Sequence, residues 1–163
     1  MDKRMFLAAT AASLIAATSA AQTGGAKMQD LAGAYMIVSV VQTNADGTKV
    51  DVFGKKPLGS VMLTSDGKYS VVLMRDDLPK YKEPRNQATP ENSTANAHGS
   101  LAYTGTYTVV GEDLSMLVRS STYPGWIGQT QKRKFTLKGD ELQWVGVTAV
   151  KGASVVLTAK REK

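Results

Sequence analysis

The feature that most constrains the fold is a repeated alternation of short β-rich runs and tight turns that contain glycine or aspartate. Valine, isoleucine, threonine and tyrosine are enriched in such runs because they suit strands. Three hairpins follow directly: Gly59–Thr64 with Lys68–Arg75 across Ser65-Asp66-Gly67, Leu101–Val110 with Leu114–Ser121 across Gly111-Glu112-Asp113, and Thr130–Leu137 with Glu141–Val147 across Lys138-Gly139-Asp140. Further strands are predicted at Gly33–Gln42, near Val50–Phe53 and at Ser154–Lys160. The pattern therefore predicts eight or nine strands, most of them antiparallel neighbours.

The segment Asp76–Gly99 interrupts this pattern, because it is polar and contains three prolines. Thr89 followed by Pro90 is typical of a helix start, with Thr89 as the N-cap and Pro90 at the first helical position. We predict a long connection with one short helix that ends at about Ala97. Connections of this length are often functional, so the segment is either a lid or a surface loop.

Eight or so antiparallel strands can close into a barrel whose interior is wide enough for one small ligand. No helical run is long enough for an α/β fold. The predicted fold class is therefore all-β, a single antiparallel barrel of eight to nine strands, with a β-sandwich as the alternative.

The first 21 residues have the pattern of a secretory signal peptide: Lys3 and Arg4, the apolar run Phe6–Ala17, and small residues before Gln22. The apolar run is too short to span a bilayer, so we expect cleavage after Ala21. The alternative is an N-terminal helix that the mature protein keeps. Cleavage predicts a periplasmic or secreted protein whose residues 22–163 form one barrel domain, with no transmembrane segment.

Charge and composition exclude several classes of function. Cleavage would remove one acidic and two basic side chains and leave 18 basic and 13 acidic ones, a net charge of +5. The basic residues are scattered rather than clustered in a stripe, so we predict no nucleic-acid partner. The chain has no cysteine and one histidine, and it lacks phosphate-binding, nucleophile-elbow and zinc-protease motifs. We therefore predict no cofactor and no metal.

Several segments, in this order, resemble the bacterial lipocalin-like domain family. They are Leu31-Ala32-Gly33-Ala34-Tyr35 with Val38-Ser39, then Asp46-Gly47, Val52-Phe53-Gly54, Pro57-Leu58-Gly59, Asp66-Gly67 and Leu73-Met74-Arg75, and finally Leu101-Ala102-Tyr103, Gly105-Thr106-Tyr107, Pro124-Gly125-Trp126-Ile127-Gly128 and Arg133-Lys134-Phe135. The resemblance implies a calycin-type barrel with a central cavity. Similar small barrels bind apolar ligands or catalyse cofactor-free cyclisation, isomerisation or elimination. Family members often carry histidine where this chain has Met116 and Leu117, so a histidine-based acid/base role does not carry over to that strand.

Alternation along the predicted strands selects candidate site residues. In Thr130–Leu137, Phe135 and Leu137 mark the core face, which places Gln131 and Arg133 inward as well. A buried arginine is costly unless it is paired. It could anchor an anion or carbonyl group, or it could form a structural pair with a carboxylate or stack on an aromatic ring. Lys160 or Arg161 over Tyr35 could instead provide the cation that closes such a barrel.

Six other residues are candidates. Tyr103 and Tyr107 share one face of their strand and could stack on an aromatic ligand. Gly105 between them would make cavity space or permit a bend. Tyr69 lies on a strand whose two faces are both partly apolar, so its direction is open, and Arg75 at the end of that strand could meet an anion or pair with Asp76 or Asp77. Trp126 could cap or plug the barrel. His98 could transfer protons or be solvated.

These residues predict an exported barrel that binds a small, largely apolar molecule. Arg133 could accommodate an anionic group on that molecule, and the tyrosines could accommodate an aromatic one. The alternative is a cofactor-independent isomerase, cyclase or lyase for an aromatic or terpenoid-like substrate, with Tyr103, Tyr107, Arg133 and His98 as the catalytic candidates. A surface interaction role is a third reading. The sequence leaves open whether the protein is an enzyme.

Overall fold

A computed structural model describes residues 27–146 and 148–163, so the predicted signal peptide and its cleavage site lie outside the described residues. The nine strands are β1 Gly33–Thr43, β2 Lys49–Asp51, β3 Leu58–Leu63, β4 Lys68–Met74, β5 Ser100–Val110, β6 Asp113–Ser121, β7 Thr130–Lys138, β8 Glu141–Gly146 and β9 Ser154–Arg161. The two α-helices are α1 Met28–Leu31 and α2 Pro90–Gly99, and two 3-10 turns cover Arg85–Gln87 and Pro124–Trp126.

The strands form one antiparallel sheet that closes on itself. Neighbours from β3 to β9 pair in chain order, and β1 joins β3 to β9. The closing register runs from Tyr35 opposite Arg161 to Thr43 opposite Ser154. The extra strand β2 pairs with the end of β1, Val41–Thr43. The structure is therefore an eight-stranded barrel with one added strand, which confirms the all-β barrel and excludes the sandwich.

Side-chain alternation places the core inside the barrel. Tyr69, Val71 and Leu73 of β4 are buried, whereas Val72 between them is 39% exposed. This settles the direction that the sequence left open: the tyrosine face of β4 points inward. The tight β3–β4 connection depends on Gly67, whose φ of 82° lies in the left-handed region that favours glycine.

One end of the barrel is closed by α1 and by an arginine. The hydroxyl of Tyr35 donates a hydrogen bond to the Leu31 carbonyl at 2.8 Å. The Arg161 guanidinium lies 4.7 Å from the centre of the Tyr35 ring and donates hydrogen bonds to the carbonyls of Ala32 and Asp30. Of the two cations predicted for this position, Arg161 is the one that fills it. We call this the closed end.

The opposite end lies beneath the long connection. Helix α2 begins as predicted, with the Thr89 hydroxyl accepting a hydrogen bond from the Asn92 amide at 3.2 Å and Pro90 in the first turn. It continues to Gly99, two residues beyond the predicted end, and leads directly into β5. The connection therefore brings the end of α2 to the barrel mouth.

Candidate functional site

A cleft opens at the barrel mouth, between the end of α2, the start of β5 and the turn after β6. Its volume is about 750 Å³, within the range of roughly 300–1,000 Å³ typical of small-molecule sites. We call it the mouth cleft, and its lining residues are Phe53, Arg85, Asn96, Ala97, His98, Ser100, Leu101, Thr122, Tyr123 and Trp126.

A smaller cavity of about 70 Å³ lies deeper, inside the barrel. We call it the interior pocket, and it is lined by Val40, Phe53, Leu73, Leu101, Tyr103, Trp126, Arg133, Trp144, Gly146, Val155 and Leu157. Phe53, Leu101 and Trp126 line both spaces. These three side chains therefore form the neck between the mouth cleft and the interior pocket.

A row of aromatic rings runs from the core to the mouth. Tyr69 packs edge-on against Tyr103 at 5.9 Å between ring centres, and Tyr103 packs against Trp126 at 5.4 Å. Tyr123, on the exposed side, lies 5.7 Å from Trp126. The turn Pro124–Trp126 fixes the indole position through the bond from the Trp126 amide to the Tyr123 carbonyl, 3.1 Å. The row gives a ligand an aromatic wall along its path.

The two buried tyrosines of this row, Tyr69 and Tyr103, are neutral at physiological pH. Burial raises the pKa of Tyr69 to about 12. Burial also raises the pKa of Tyr103, and the positive charge of Arg133 opposes that rise. Because a tyrosine with a raised pKa keeps its proton, these hydroxyls can donate hydrogen bonds but are poor bases near neutral pH.

Arg133 and Gln131 project from β7 into the barrel, as the alternation predicts. They are 4% and 6% exposed, and they are the buried polar side chains of the described core. Arg133 donates from Nη2 to Oε1 of Gln131 and from Nη1 to the Val145 carbonyl at 3.4 Å. Arg133 Nε and Gln131 Nε2 are buried without a hydrogen-bond partner.

The charge of Arg133 also lacks a counter-ion. In the described part of the chain, no carboxylate lies within 4 Å of its guanidinium. Besides its two hydrogen bonds, the guanidinium faces the Trp144 ring, with 5.9 Å between the guanidinium carbon and the ring centre. Of the structural roles weighed from the sequence, the carboxylate pair is therefore not formed, and the aromatic contact is long.

The family follows from this architecture and the sequence together. The model of a lipocalin-like domain matches residues 32–161, which span all nine strands. The chain belongs to the lipocalin-like domain family. No curated protein shows a significant match to the chain.

Two solved structures are similar to this lipocalin-like chain. A lipocalin-like protein from Bacteroides uniformis is 18% identical, with a TM-score of 0.45, over 82% of this chain and 99% of the other. A mutant of the fluorescent protein UnaG is 11% identical, with a TM-score of 0.38, over 82% of this chain and 96% of the other.

Within the lipocalin-like barrel, the structure brings together some of the predicted site residues. Tyr103 and Arg133 line the interior pocket, Trp126 lies at the neck, and Gln131 is bonded to Arg133. Tyr69 is not among the pocket-lining residues but contacts Tyr103 from below, with its hydroxyl 3.4 Å from the Leu117 carbonyl. His98 lies in the last turn of α2, exposed, on the wall of the mouth cleft.

Two candidates lie outside the site. Tyr107 is at the closed end, where its hydroxyl donates to the Thr64 carbonyl at 2.8 Å. It lies four positions along the strand from Tyr103, or roughly 13 Å, so the prediction that the two tyrosines stack on one small ligand is wrong. Arg75 forms an exposed two-point pair with Asp77, with both distances 2.7 Å, which is the rim pairing that the sequence allowed.

Sequence reasoning missed several residues of the site, among them Phe53, Leu101 and Trp144. Phe53 follows β2 in a turn, Leu101 sits at the start of β5, and Trp144 faces inward from β8 opposite Phe135. Alternation in β8 could have indicated that Trp144 points into the barrel, because Leu142 and Trp144 share a face of the strand. Nothing local marks Phe53, because only barrel closure brings its turn to the mouth.

Gly105 is explained by backbone proximity rather than by cavity space. A Cβ at this position would overlap the Leu117 carbonyl of β6, and the β5–β6 register shifts between Thr104 and Gly105. The glycine therefore permits a bulge.

Over residues 27–146 and 148–163, no group of three acidic or histidine side chains could hold a metal ion. No helix within those residues is long and apolar enough to cross a membrane.

Proposed function

We propose that this protein is an exported lipocalin-like barrel that binds a small, largely apolar molecule, with part of the molecule inside the barrel and the rest in the mouth cleft. The observation that carries the proposal is the shared neck. Phe53, Leu101 and Trp126 connect a space large enough for a small molecule to the barrel interior. Sites of this kind are mostly apolar, with a few placed polar groups.

Export is part of the proposal and is supported by the N-terminal pattern of basic residues, apolar core and small residues before Gln22. The enzyme alternative gains no support from the interior pocket. Its described lining contains neither a carboxylate nor a histidine, and its tyrosine has a raised pKa. Binding therefore needs fewer assumptions than catalysis.

The neck can be tested with a neutral apolar probe. The chain has two tryptophans, and both line the interior pocket. Decanol that enters should therefore change the tryptophan emission of the protein, after refolding from denaturant to remove any retained ligand. Trp126→Phe should remove the part of this change in emission that comes from the tryptophan at the neck.

A filled neck should weaken that binding. Leu101→Trp places a larger side chain where the mouth cleft meets the interior pocket, and we expect it to weaken decanol binding at least about tenfold. The matched control is Leu58→Trp, because Leu58 is 53% exposed on the outside of β3. Equal binding by both variants, or no saturable binding by the unmodified protein, would contradict the proposal.

A further inference from the structure

Arg133 is a buried charge that has no counter-ion among the described residues. It is 4% exposed, and the described chain places no carboxylate within salt-bridge distance of it. Buried charges are normally paired or bound to an ion, because an unpaired charge in a low-dielectric interior is costly. The described residues of the interior pocket therefore leave the positive charge of Arg133 without a neutralising negative charge.

Two unsatisfied donors belong to this pair of hydrogen-bonded side chains. Arg133 Nε and Gln131 Nε2 both lack a hydrogen-bond partner, and the two side chains are held to each other by the bond from Arg133 Nη2 to Gln131 Oε1. Each donor belongs to a planar group. A ligand that presents two acceptor oxygens in one plane would satisfy both.

A purely structural role does not require this arginine. The cation that closes a small barrel is supplied at the other end by Arg161, which covers Tyr35 and bonds the carbonyls of Ala32 and Asp30. Arg133 instead lines the pocket that leads to the mouth.

The entrance is suited to an anion as well. Arg85 is among the side chains that line the mouth cleft, and the described lining includes no aspartate or glutamate. A cationic lining raises the local concentration of anionic ligands.

Resting on the proposed binding function, we propose that the ligand is an amphipathic organic acid whose single carboxylate is held by Arg133 and Gln131. Its apolar body passes the neck of Phe53, Leu101 and Trp126 and lies in the mouth cleft. The interior pocket of about 70 Å³ admits a small head group but not a drug-sized body. One carboxylate neutralises the one buried charge, whereas a phosphate carries about −1.5 to −2 charges and three acceptor oxygens.

The test compares decanoate with decanol, which share an alkyl chain and differ in the head group. Calorimetric titration near neutral pH should show decanoate binding about tenfold more tightly or better, a factor that corresponds to about 1.4 kcal/mol. Arg133→Met should abolish the preference, so that decanoate binds no more tightly than decanol to this variant. Gln131→Leu should reduce the preference but keep part of it, because it removes one donor and no charge.

The control variant is Arg119→Met, which removes the same charge from an exposed position on β6 and should keep the preference. If Arg133→Met does not fold, the comparison of decanoate with decanol on the unmodified protein decides the question by itself. Equal affinities of the unmodified protein for decanoate and decanol would overturn the proposal that the ligand is an acid, but not the proposed binding function. In that case water would satisfy Arg133 Nε and Gln131 Nε2. A preference that survives in Arg133→Met would overturn it too. Failure of both probes to bind would overturn both proposals.

Discussion

Replacing both buried polar residues of β7, Gln131→Leu together with Arg133→Met, should stabilise the ligand-free protein. Each of the two side chains has one buried donor without a partner, and each such group costs about 1–3 kcal/mol. Because the double variant removes both Arg133 and Gln131, the loss of the hydrogen bond between them leaves no buried donor or acceptor of that bond without a partner. The change loses the cation–π contact with Trp144, which is worth about 0.5–2 kcal/mol, and the long bond to Val145.

The net gain should be about 1–3 kcal/mol in the free energy of unfolding, in line with buried charges replaced by apolar residues of similar volume. For a domain of this size the gain corresponds to roughly 4–12 °C in Tm. Arg133→Met alone should gain less than the pair, because it strands Gln131 Oε1.

The assay is urea unfolding followed by tryptophan fluorescence, on protein refolded from denaturant. Refolding matters because a retained ligand stabilises only the folded state and would mask the cost of the empty site. The matched control is Thr130→Leu with Lys132→Met, two exposed positions on the same strand, which should change the free energy by no more than about 0.5 kcal/mol. A double variant less stable than the unmodified protein by over about 1 kcal/mol would refute the reasoning and make the pair a structural element.

Three further outcomes are expected. Gly105→Ala should destabilise the barrel by about 1–3 kcal/mol in urea unfolding, because its Cβ would overlap the Leu117 carbonyl; an unchanged midpoint would contradict the bulge. Burial raises the pKa of Tyr69 and of Tyr107 to about 12, so their contribution to stability is full below pH 10 and is lost as the pH rises through 12. Absorbance at 295 nm should show at least these two tyrosines ionising only at about that pH or on unfolding, and complete ionisation of the folded protein by about pH 10.5 would exclude this. Finally, protein recovered from the periplasm of a bacterial host should begin at Gln22 by intact mass, and an uncleaved chain would contradict export.

The strands were predictable because each one carries its own local signals. The predicted strands next to the hairpin turns at Gly67, Gly111 and Gly139 end within one or two residues of the strand ends in the structure. Alternation also placed Gln131 and Arg133 inside from the neighbouring Phe135 and Leu137.

The site itself was only partly predictable, since it depends on which strand ends meet. Alternation tells the inner face from the outer one but not the mouth from the closed end, and this is why Tyr107 was grouped with Tyr103. On β4 even the face was open, because Val72 and Met74 outside are as apolar as Val71 and Leu73 inside. Phe53 lies outside any strand, so no periodicity could assign it to the neck.

Closure of the sheet by β1 and β9 also determines when the molecule can fold. One edge of β1 pairs with β3, but its other edge finds its partner only in β9, Ser154–Arg161, so the contact that completes the barrel joins strands far apart in the sequence. Contacts this distant slow folding, because the entropy of loop closure is lost before the pairing is gained. Until β9 docks, β1 and β8 each present an unpaired edge, the kind of surface that recruits other chains. A chain built in this way delays its native state until β9 has been synthesised, which is compatible with passage through an export channel in unfolded form.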